Sequence, residues 1–131
     1  VMPTFCDLAG IEIPETVNGK SLKPVLKGQT NSIRDVMYGV YCGGSKPGMR
    51  CVKMGDWKLI KYDLMDGEIR QTQLFNLAEN PNEFLPEHHK NDEMETNLAG
   101  DPQYADKLAE MKELLREHLK AVPGNFASML D

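Results

Sequence analysis

The sequence has 131 residues, of which 27% are charged, and its formal net charge is −5. This length suits one domain with a modest core, and the acidic balance argues against a nucleic-acid surface, which would be basic. No run of eighteen apolar residues is present, so no membrane span is expected, and residues 1–4 lack the features of a signal peptide.

The first 35 residues predict two short helices. Pro3 suits a helix start and Gly10 suits the left-handed residue that closes a helix, so the first is predicted over Pro3–Gly10. The second is predicted over Ser21–Gly28, again ending at a glycine.

The middle of the chain predicts an antiparallel meander. Val36–Cys42 is apolar on both faces, which predicts a central strand. The pair Gly55–Asp56 predicts a tight hairpin turn between two strands, because such turns need positive φ. A second connection, Leu64–Arg70, leads to a further strand over Gln73–Leu77.

The C-terminal third predicts one long helix after an acidic segment, Glu83–Thr96. Asp101 is a good N-cap and Pro102 suits the first helical position. Apolar residues then recur at helical spacing over about five turns. They are Tyr104, Leu108, Met111, Leu115, Leu119 and Val122, and Pro123–Gly124 ends the helix. The predicted fold is α+β: a small antiparallel sheet of about four strands packed with a long C-terminal helix and short N-terminal helices.

Candidate metal and thiol sites each have a simpler interpretation. Cys42 and Cys51 could pair across a hairpin, but three half-buried free thiols, including Cys6, are the favoured interpretation. His88 and His89 point apart on any regular element, and His118 has no HExxH-type partner. The carboxylates of residues 83–95 lack the spacing of an EF-hand, so a solvated acidic loop is the simpler explanation.

Cationic side chains are concentrated in the region of the sheet, while the C-terminal half is acidic. Such a bias can serve an anionic ligand such as a sulfated sugar, and Arg50 is best suited to bidentate contacts. The alternative for each residue is an exposed strand face in water. The residues are Lys20, Lys23, Lys46, Arg50, Lys53, Lys58 and Lys61.

Several sequence blocks, taken in order, resemble the C-terminal subdomain of type I sulfatases, members of the alkaline-phosphatase-like superfamily. These blocks are Pro3–Ile11, Asn18–Gly28, Arg50–Ile60, Gln73–Leu77 with Asn80–Glu83, and Asn97–Ala99. Each block alone is a weak signal, but together they span about residues 3 to 120. On this resemblance, residues 1–131 are expected to form a single sulfatase C-terminal subdomain.

The catalytic parts of that family are missing from this sequence. In that family the nucleophile is a Cys or Ser in the motif Cys/Ser-x-Pro-x-Arg, and this residue is oxidised to formylglycine. None of the three cysteines here is followed by x-Pro-x-Arg. The calcium-binding aspartates and the sulfate-gripping His and Lys residues are missing as well. The resemblance therefore implies that calcium and formylglycine belong to an N-terminal catalytic domain, and that this chain alone is not catalytic. Thirteen residues also lie between Glu83 and Asn97, more than the family commonly has, which indicates an insertion over residues 84–96 that could shape a substrate rim or an oligomer contact.

The resemblance implies a role in supporting the catalytic domain and in forming the wall of the substrate cleft. Loops Gly43–Gly48 and Asp63–Arg70 are the expected approaches to substrate. Arg50 and Lys46 are the predicted contacts to a sulfated carbohydrate. The expected partner is the catalytic domain, with a dimer possible through the exposed docking face. The parent is expected to be periplasmic or extracellular. Two alternatives remain open: a stand-alone carbohydrate- or protein-binding module, and part of an inactive sulfatase-like protein.

Overall fold

The structure, a computed structural model, describes residues 1–42, 48–85, 97–122, 126 and 129. These residues form two compact units, residues 1–35 and residues 36–131. None of the described helices is long and apolar enough to cross a membrane.

The first unit contains two short helices, α1 (Met2–Ala9) and α2 (Lys23–Leu26). Gly10 adopts φ 69° and closes α1 in the left-handed conformation, which confirms the predicted helix end. Helix α2 is a single turn and shorter than predicted. The backbone N–H of Lys23 donates a hydrogen bond to Ser21 Oγ at 3.1 Å, so the helix begins after Ser21.

Polar contacts hold these two helices together, while apolar side chains face outward. Thr4 Oγ1 accepts a hydrogen bond from the backbone N–H of Leu22 at 3.0 Å. Lys23 Nζ donates to Asp7 Oδ1 at 2.8 Å, and this bond lowers the pKa of Asp7. Phe5 and Leu8, three residues apart on α1, are both exposed.

The second unit is built on the predicted antiparallel meander. Its four strands are β1 (Val36–Tyr41), β2 (Gly48–Met54), β3 (Trp57–Leu64) and β4 (Ile69–Asn76), and they lie in the order β1-β2-β3-β4. Gly55, with φ 56°, forms the predicted tight turn between β2 and β3.

The prediction that Val36–Cys42 is a central strand is wrong. In the described sheet β1 is an edge strand, and its residues Met37, Val40 and Tyr41 are exposed. Apolar residues on both faces of a strand indicate contacts above and below the sheet, but they do not specify strands on both sides.

Strand β4 begins four residues earlier than the predicted strand. Its polar first half pairs in register with β3, so that Arg70 lies opposite Asp63 and Thr72 lies opposite Lys61. The prediction placed this half in a loop because its residues are polar. The register continues from the buried half of the strand and fixes the position of the polar half.

The main core lies between one face of the sheet and α3 (Ala105–Lys120). Val52, Leu59 and Leu74, one from each of β2, β3 and β4, pack against the helix, and each buried aliphatic side chain contributes about 1.5–3 kcal/mol. The predicted helical stripe supplies the opposite layer. Its buried members are Met111, Leu115 and Leu119, and Tyr104 and Leu108 pack beside them.

Helix α3 is preceded by a turn of 3-10 helix, Pro102–Tyr104. Asp101 Oδ1 accepts from the backbone N–H of Gln103 at 2.9 Å, so the predicted N-cap residue caps this turn. The α-helix ends at Lys120, and Val122, the last residue of the predicted stripe, is exposed beyond it.

A second apolar cluster lies on the opposite face of the sheet. Ile60, Phe75 and Leu85 are buried there, and Tyr62 packs beside them. The Tyr62 hydroxyl donates to Gln73 Oε1 at 2.9 Å. Leu85 therefore belongs to the core, although it lies inside the predicted acidic segment Glu83–Thr96.

Polar contacts join the separate sequence blocks on which the resemblance rests. Lys58 Nζ contacts both carboxylate oxygens of Glu83, at 2.7 and 2.6 Å. The backbone N–H of Leu77 donates to the carbonyl of Asp56 in the hairpin turn at 2.6 Å. The described roles of these block residues are thus structural.

The three cysteines are free thiols in the structure. Cys6 and Cys51 are half-buried, as the favoured interpretation expected, whereas Cys42 is exposed.

Candidate functional site at one end of the sheet

The sheet register brings the bases of two hairpin loops together. Gly48, at the start of β2, pairs with Asp63 near the end of β3, and Asp63 pairs with Arg70 of β4. The strand ends that bound the two loops predicted to approach substrate, Gly43–Gly48 and Asp63–Arg70, are therefore neighbours at the same end of the sheet. Residues 43–47 and the predicted contact Lys46 lie outside the described residues.

Two cations lie side by side at this end, on the face that carries α3. Arg50 of β2 and Lys61 of β3 are opposite each other in the register, and each is only 6% exposed. Like charges directly opposite each other in a sheet repel, and burial adds a desolvation cost. The sequence predicted a basic region here, but it did not predict this burial.

Arg50 joins the two ends of the loop between β1 and β2. Its Nη1 donates to the carbonyl of Met49 at 2.8 Å and lies 3.8 Å from Cys42 Sγ. The guanidinium also lies over the ring of Phe126, 5.1 Å from the ring centroid, in a cation–π contact. Arg50 Nε is buried without a hydrogen-bond partner.

Tyr38 lies next to this arginine on the edge strand. Burial raises the pKa of Tyr38, and the neighbouring Arg50 cation opposes part of that rise. The Tyr38 hydroxyl is buried without a hydrogen-bond partner, and its ring stacks on that of His118 with centroids 5.6 Å apart. His118 was considered above as a candidate metal ligand. In the structure it is a residue of α3 whose ring packs against Tyr38.

The β3–β4 loop shows unusual backbone geometry. Met65 and Asp66 have φ of 53° and 54°, and Gly67 has φ 96°, so three successive residues adopt the left-handed region. Asp63 and Arg70, at the base of this loop, form an ion pair. Arg70 was predicted only as the end of a loop, without a partner. Opposite charges at the two ends of a short hairpin connection are the signal that could have identified the pair.

The described residues do not fit the cofactors that the resemblance implied for the family. Within residues 1–42, 48–85, 97–122, 126 and 129, no group of three or more His, Cys, Asp or Glu side chains could hold a metal ion. The pair His88 and His89 lies outside those residues. The described arrangement places two buried cations, Arg50 and Lys61, and the buried carboxylate of Asp63 at this end of the sheet.

Comparison with protein families gives one match over nearly the whole chain. The family described as "N-sulphoglucosamine sulphohydrolase, C-terminal" matches residues 1–121. This range includes the first compact unit, the four strands and helix α3 of the second, and both loops of the candidate site.

Curated relatives are also similar over most of the chain. An N-acetylglucosamine-6-O-sulfatase of Bacteroides thetaiotaomicron is 29% identical over 130 residues, covering 94% of this chain and 21% of the relative. A Delta 4,5-hexuronate-2-O-sulfatase of the same organism is 29% identical over 134 residues, covering 98% of this chain and 24% of the relative. Arylsulfatase K of Xenopus laevis is 30% identical over 123 residues, covering 87% of this chain and 20% of the relative.

A solved structure shares the fold. A protein in complex with its substrate, D-glucosamine-2-N,6-O-disulfate, matches with a TM-score of 0.66 and 28% identity, covering 90% of this chain and 22% of that one. The chain thus spans less than a quarter of the length of these relatives.

Proposed function

Because this chain belongs to the family of N-sulphoglucosamine sulphohydrolase C-terminal domains, we propose that it supports the catalytic domain of a sulfatase and forms one wall of its substrate cleft. The observation that carries the proposal is the family match over residues 1–121, which includes both loops of the candidate site. The parent protein, on this proposal, hydrolyses a sulfate ester of a carbohydrate.

The proposed role is one of support and recognition, since hydrolysis of a sulfate ester needs an activated nucleophile and cationic stabilisation at one centre. The catalytic domain would supply these, with formylglycine as nucleophile and calcium as cation. For the isolated chain we expect no turnover of an aryl sulfate. Detectable turnover would contradict this division of labour.

Exposed apolar residues support the proposed docking. In the first unit Phe5, Leu8 and Ile11 are exposed, as is Leu26 of α2. Exposed apolar residues concentrated in so short a segment are typical of a surface that another domain covers. We propose that the catalytic domain covers it, and that in an isolated chain self-association could take its place and produce a dimer.

The position of Arg50 at this end of the sheet supports the proposed substrate contact. Arg50 secures the base of the loop that carries Lys46, and we propose that both residues serve recognition of a sulfated carbohydrate. The direct contact is assigned to Lys46. Arg50 is 6% exposed and bonded to Met49, and it would act mainly by positioning the loop. We further propose that the parent is exported to the periplasm or the extracellular space, where sulfated glycans are found.

The test is a sulfate-release assay on the whole protein that contains this chain, with D-glucosamine-2-N,6-O-disulfate and an aryl sulfate as substrates. We expect release from at least one of them. Lys46→Gln should raise KM for the disulfated sugar, whereas Lys120→Gln, an equal charge change at the end of α3, should not. No release from either substrate would contradict the sulfatase proposal, and glycan binding by the isolated chain would then favour a stand-alone module.

A further inference from the structure

We propose that Arg70 is a binding residue for a second anionic group of the substrate, a sulfate on the sugar other than the one being hydrolysed. This inference rests on the proposed function, because it assigns a role within the same cleft wall. It follows from three features of the β3–β4 hairpin: a buried carboxylate, a glycine under the guanidinium, and a left-handed loop.

The buried carboxylate is that of Asp63. Asp63 is 2% exposed, whereas the side chain of Arg70 is 60% exposed, and Arg70 Nε lies 3.4 Å from Asp63 Oδ2. The pair thus joins a fixed interior anion to a cation at the surface. A carboxylate held within the sheet restricts the position of the guanidinium, which in a free surface arginine would vary among many rotamers.

The glycine under the guanidinium is Gly67. A Cβ atom placed there would lie 3.0 Å from Arg70 Nη2 and 3.4 Å from both Cζ and Nε. The guanidinium therefore occupies the space that any larger residue at position 67 would fill. Gly67 also has φ 96°, which disfavours other residues for a separate reason.

The loop itself adopts a conformation that non-glycine residues avoid. Met65 and Asp66, with φ of 53° and 54°, precede Gly67 in the left-handed region. Such geometry is typical of segments in which a functional arrangement outweighs local stability. In this loop it folds the chain back so that Gly67 comes beneath Arg70.

The chemistry of a fixed guanidinium suits a sulfate group. Its planar fork offers parallel N–H donors that match two oxygens of a tetrahedral oxyanion, and the Nε contact with Asp63 leaves the Nη atoms for that purpose. The loop also carries the acidic residues Asp66 and Glu68. Recognition should therefore depend on the oriented fork of Arg70 rather than on a broad positive field.

The experiment uses the whole protein that contains this chain and measures KM and kcat for two substrates. With D-glucosamine-2-N,6-O-disulfate, Arg70→Gln should raise KM about tenfold, the effect of losing a charge-assisted hydrogen bond, while kcat stays within about twofold. With an aryl monosulfate, which lacks the second anion, KM should stay close to that of the wild type. Arg70→Lys should behave like Arg70→Gln, because lysine keeps the charge but loses the fork.

Arg116→Gln is the matched control, since Arg116 is an arginine of α3 that pairs with the exposed Glu113. It should leave both KM values unchanged. If Arg70 has a purely structural role, Arg70→Gln should lower the melting temperature and shift the two KM values together or not at all. That result, or rescue by Arg70→Lys, would overturn the inference and leave the sulfatase proposal intact.

Failure of the sulfatase proposal is recognised separately, by the absence of turnover in the wild type. In that case, calorimetric binding of the disulfated sugar decides. A sugar-sulfate site at Arg70 is supported by two results together. The affinity for the disulfated sugar falls about tenfold in Arg70→Gln, and inorganic sulfate at the same concentration as the sugar does not weaken binding to the wild type. The inference is overturned if the wild type and Arg70→Gln bind the disulfated sugar equally, or if inorganic sulfate displaces the sugar from the wild type.

Discussion

The side chain of Asn97 binds the backbone of Leu74 as a neighbouring strand would. Asn97 Oδ1 accepts a hydrogen bond from the backbone N–H of Leu74 at 3.1 Å, and its Nδ2 donates to the carbonyl of Thr72 at 2.8 Å. One amide thus satisfies two backbone groups on the outer side of β4. The same oxygen accepts from Ala99 and caps the turn that follows. The block Asn97–Ala99 therefore has a structural role, the protection of a sheet edge.

Asn97→Ala should destabilise the protein by about 2 kcal/mol, because two backbone groups of β4 lose their partners at once. Urea unfolding followed by circular dichroism measures the change. The control is Asn82→Ala, at an exposed position in the turns that follow β4. It should stay within about 0.5 kcal/mol of the wild type. An Asn97→Ala protein as stable as the wild type would contradict the edge-protecting role.

Local signals in the sequence were sufficient for most of the fold. The left-handed conformations of Gly10 and Gly55 follow from glycine chemistry, and the stripe from Tyr104 to Leu119 follows from helical periodicity. Each of these features depends on residues within a few positions of one another. For that reason a single sequence can specify them.

The remaining features depend on which strands become neighbours. The edge position of β1, the burial of Arg50 opposite Lys61 and the pairing of Asp63 with Arg70 all follow from the sheet register. Strand order and register are set by tertiary packing rather than by local sequence. The sequence could therefore identify Arg50 as a candidate from its chemistry, but it could not show that its guanidinium is buried beneath Phe126.

Glu83 combines a favourable ion pair with an unfavourable backbone conformation. It contacts Lys58 while its φ is 57°. Both Glu83→Ala and Glu83→Gly remove the ion pair, but only glycine adopts this φ without strain. Glu83→Gly should therefore be more stable than Glu83→Ala by about 1 kcal/mol, measured by urea unfolding. The opposite order would show that flexibility of the unfolded chain outweighs the strain.

Gly48 and Gly100 offer a matched pair of glycine substitutions. At Gly48, φ is 84° and an added Cβ would lie 2.6 Å from the carbonyl oxygen of Tyr41 and 2.8 Å from Cα of Cys42. Since both are backbone atoms, Gly48→Ala should cost more than about 2 kcal/mol. At Gly100 nothing lies within 4 Å, and Gly100→Ala should be neutral or stabilising by up to about 1 kcal/mol. Thermal melting of both variants tests this difference.

Tyr38 and Tyr62 should respond in opposite ways to loss of the hydroxyl. The Tyr38 hydroxyl is buried without a hydrogen-bond partner, so Tyr38→Phe should be neutral or stabilising by about 1 kcal/mol. Tyr62 donates to Gln73, and Tyr62→Phe should cost about 1 kcal/mol. Urea unfolding of the two variants measures both changes. Equal destabilisation of the two would show that the Tyr38 hydroxyl also contributes a favourable interaction.

Tyr62 should make the protein less stable at alkaline pH. Burial, followed by the carboxylate of Glu83, raises the pKa of Tyr62 above the ordinary value of 10.0. The folded state therefore holds this proton more tightly than the unfolded state does. The resulting stabilisation is complete below about pH 10 and is lost as pH rises through the folded-state pKa. Unfolding free energies at pH 8 and pH 11 should therefore differ more for the wild type than for Tyr62→Phe. Lysine titration affects both proteins alike, so the difference between their pH dependences isolates the phenol. If the two proteins lose the same stability over this range, ionisation of Tyr62 is not linked to unfolding.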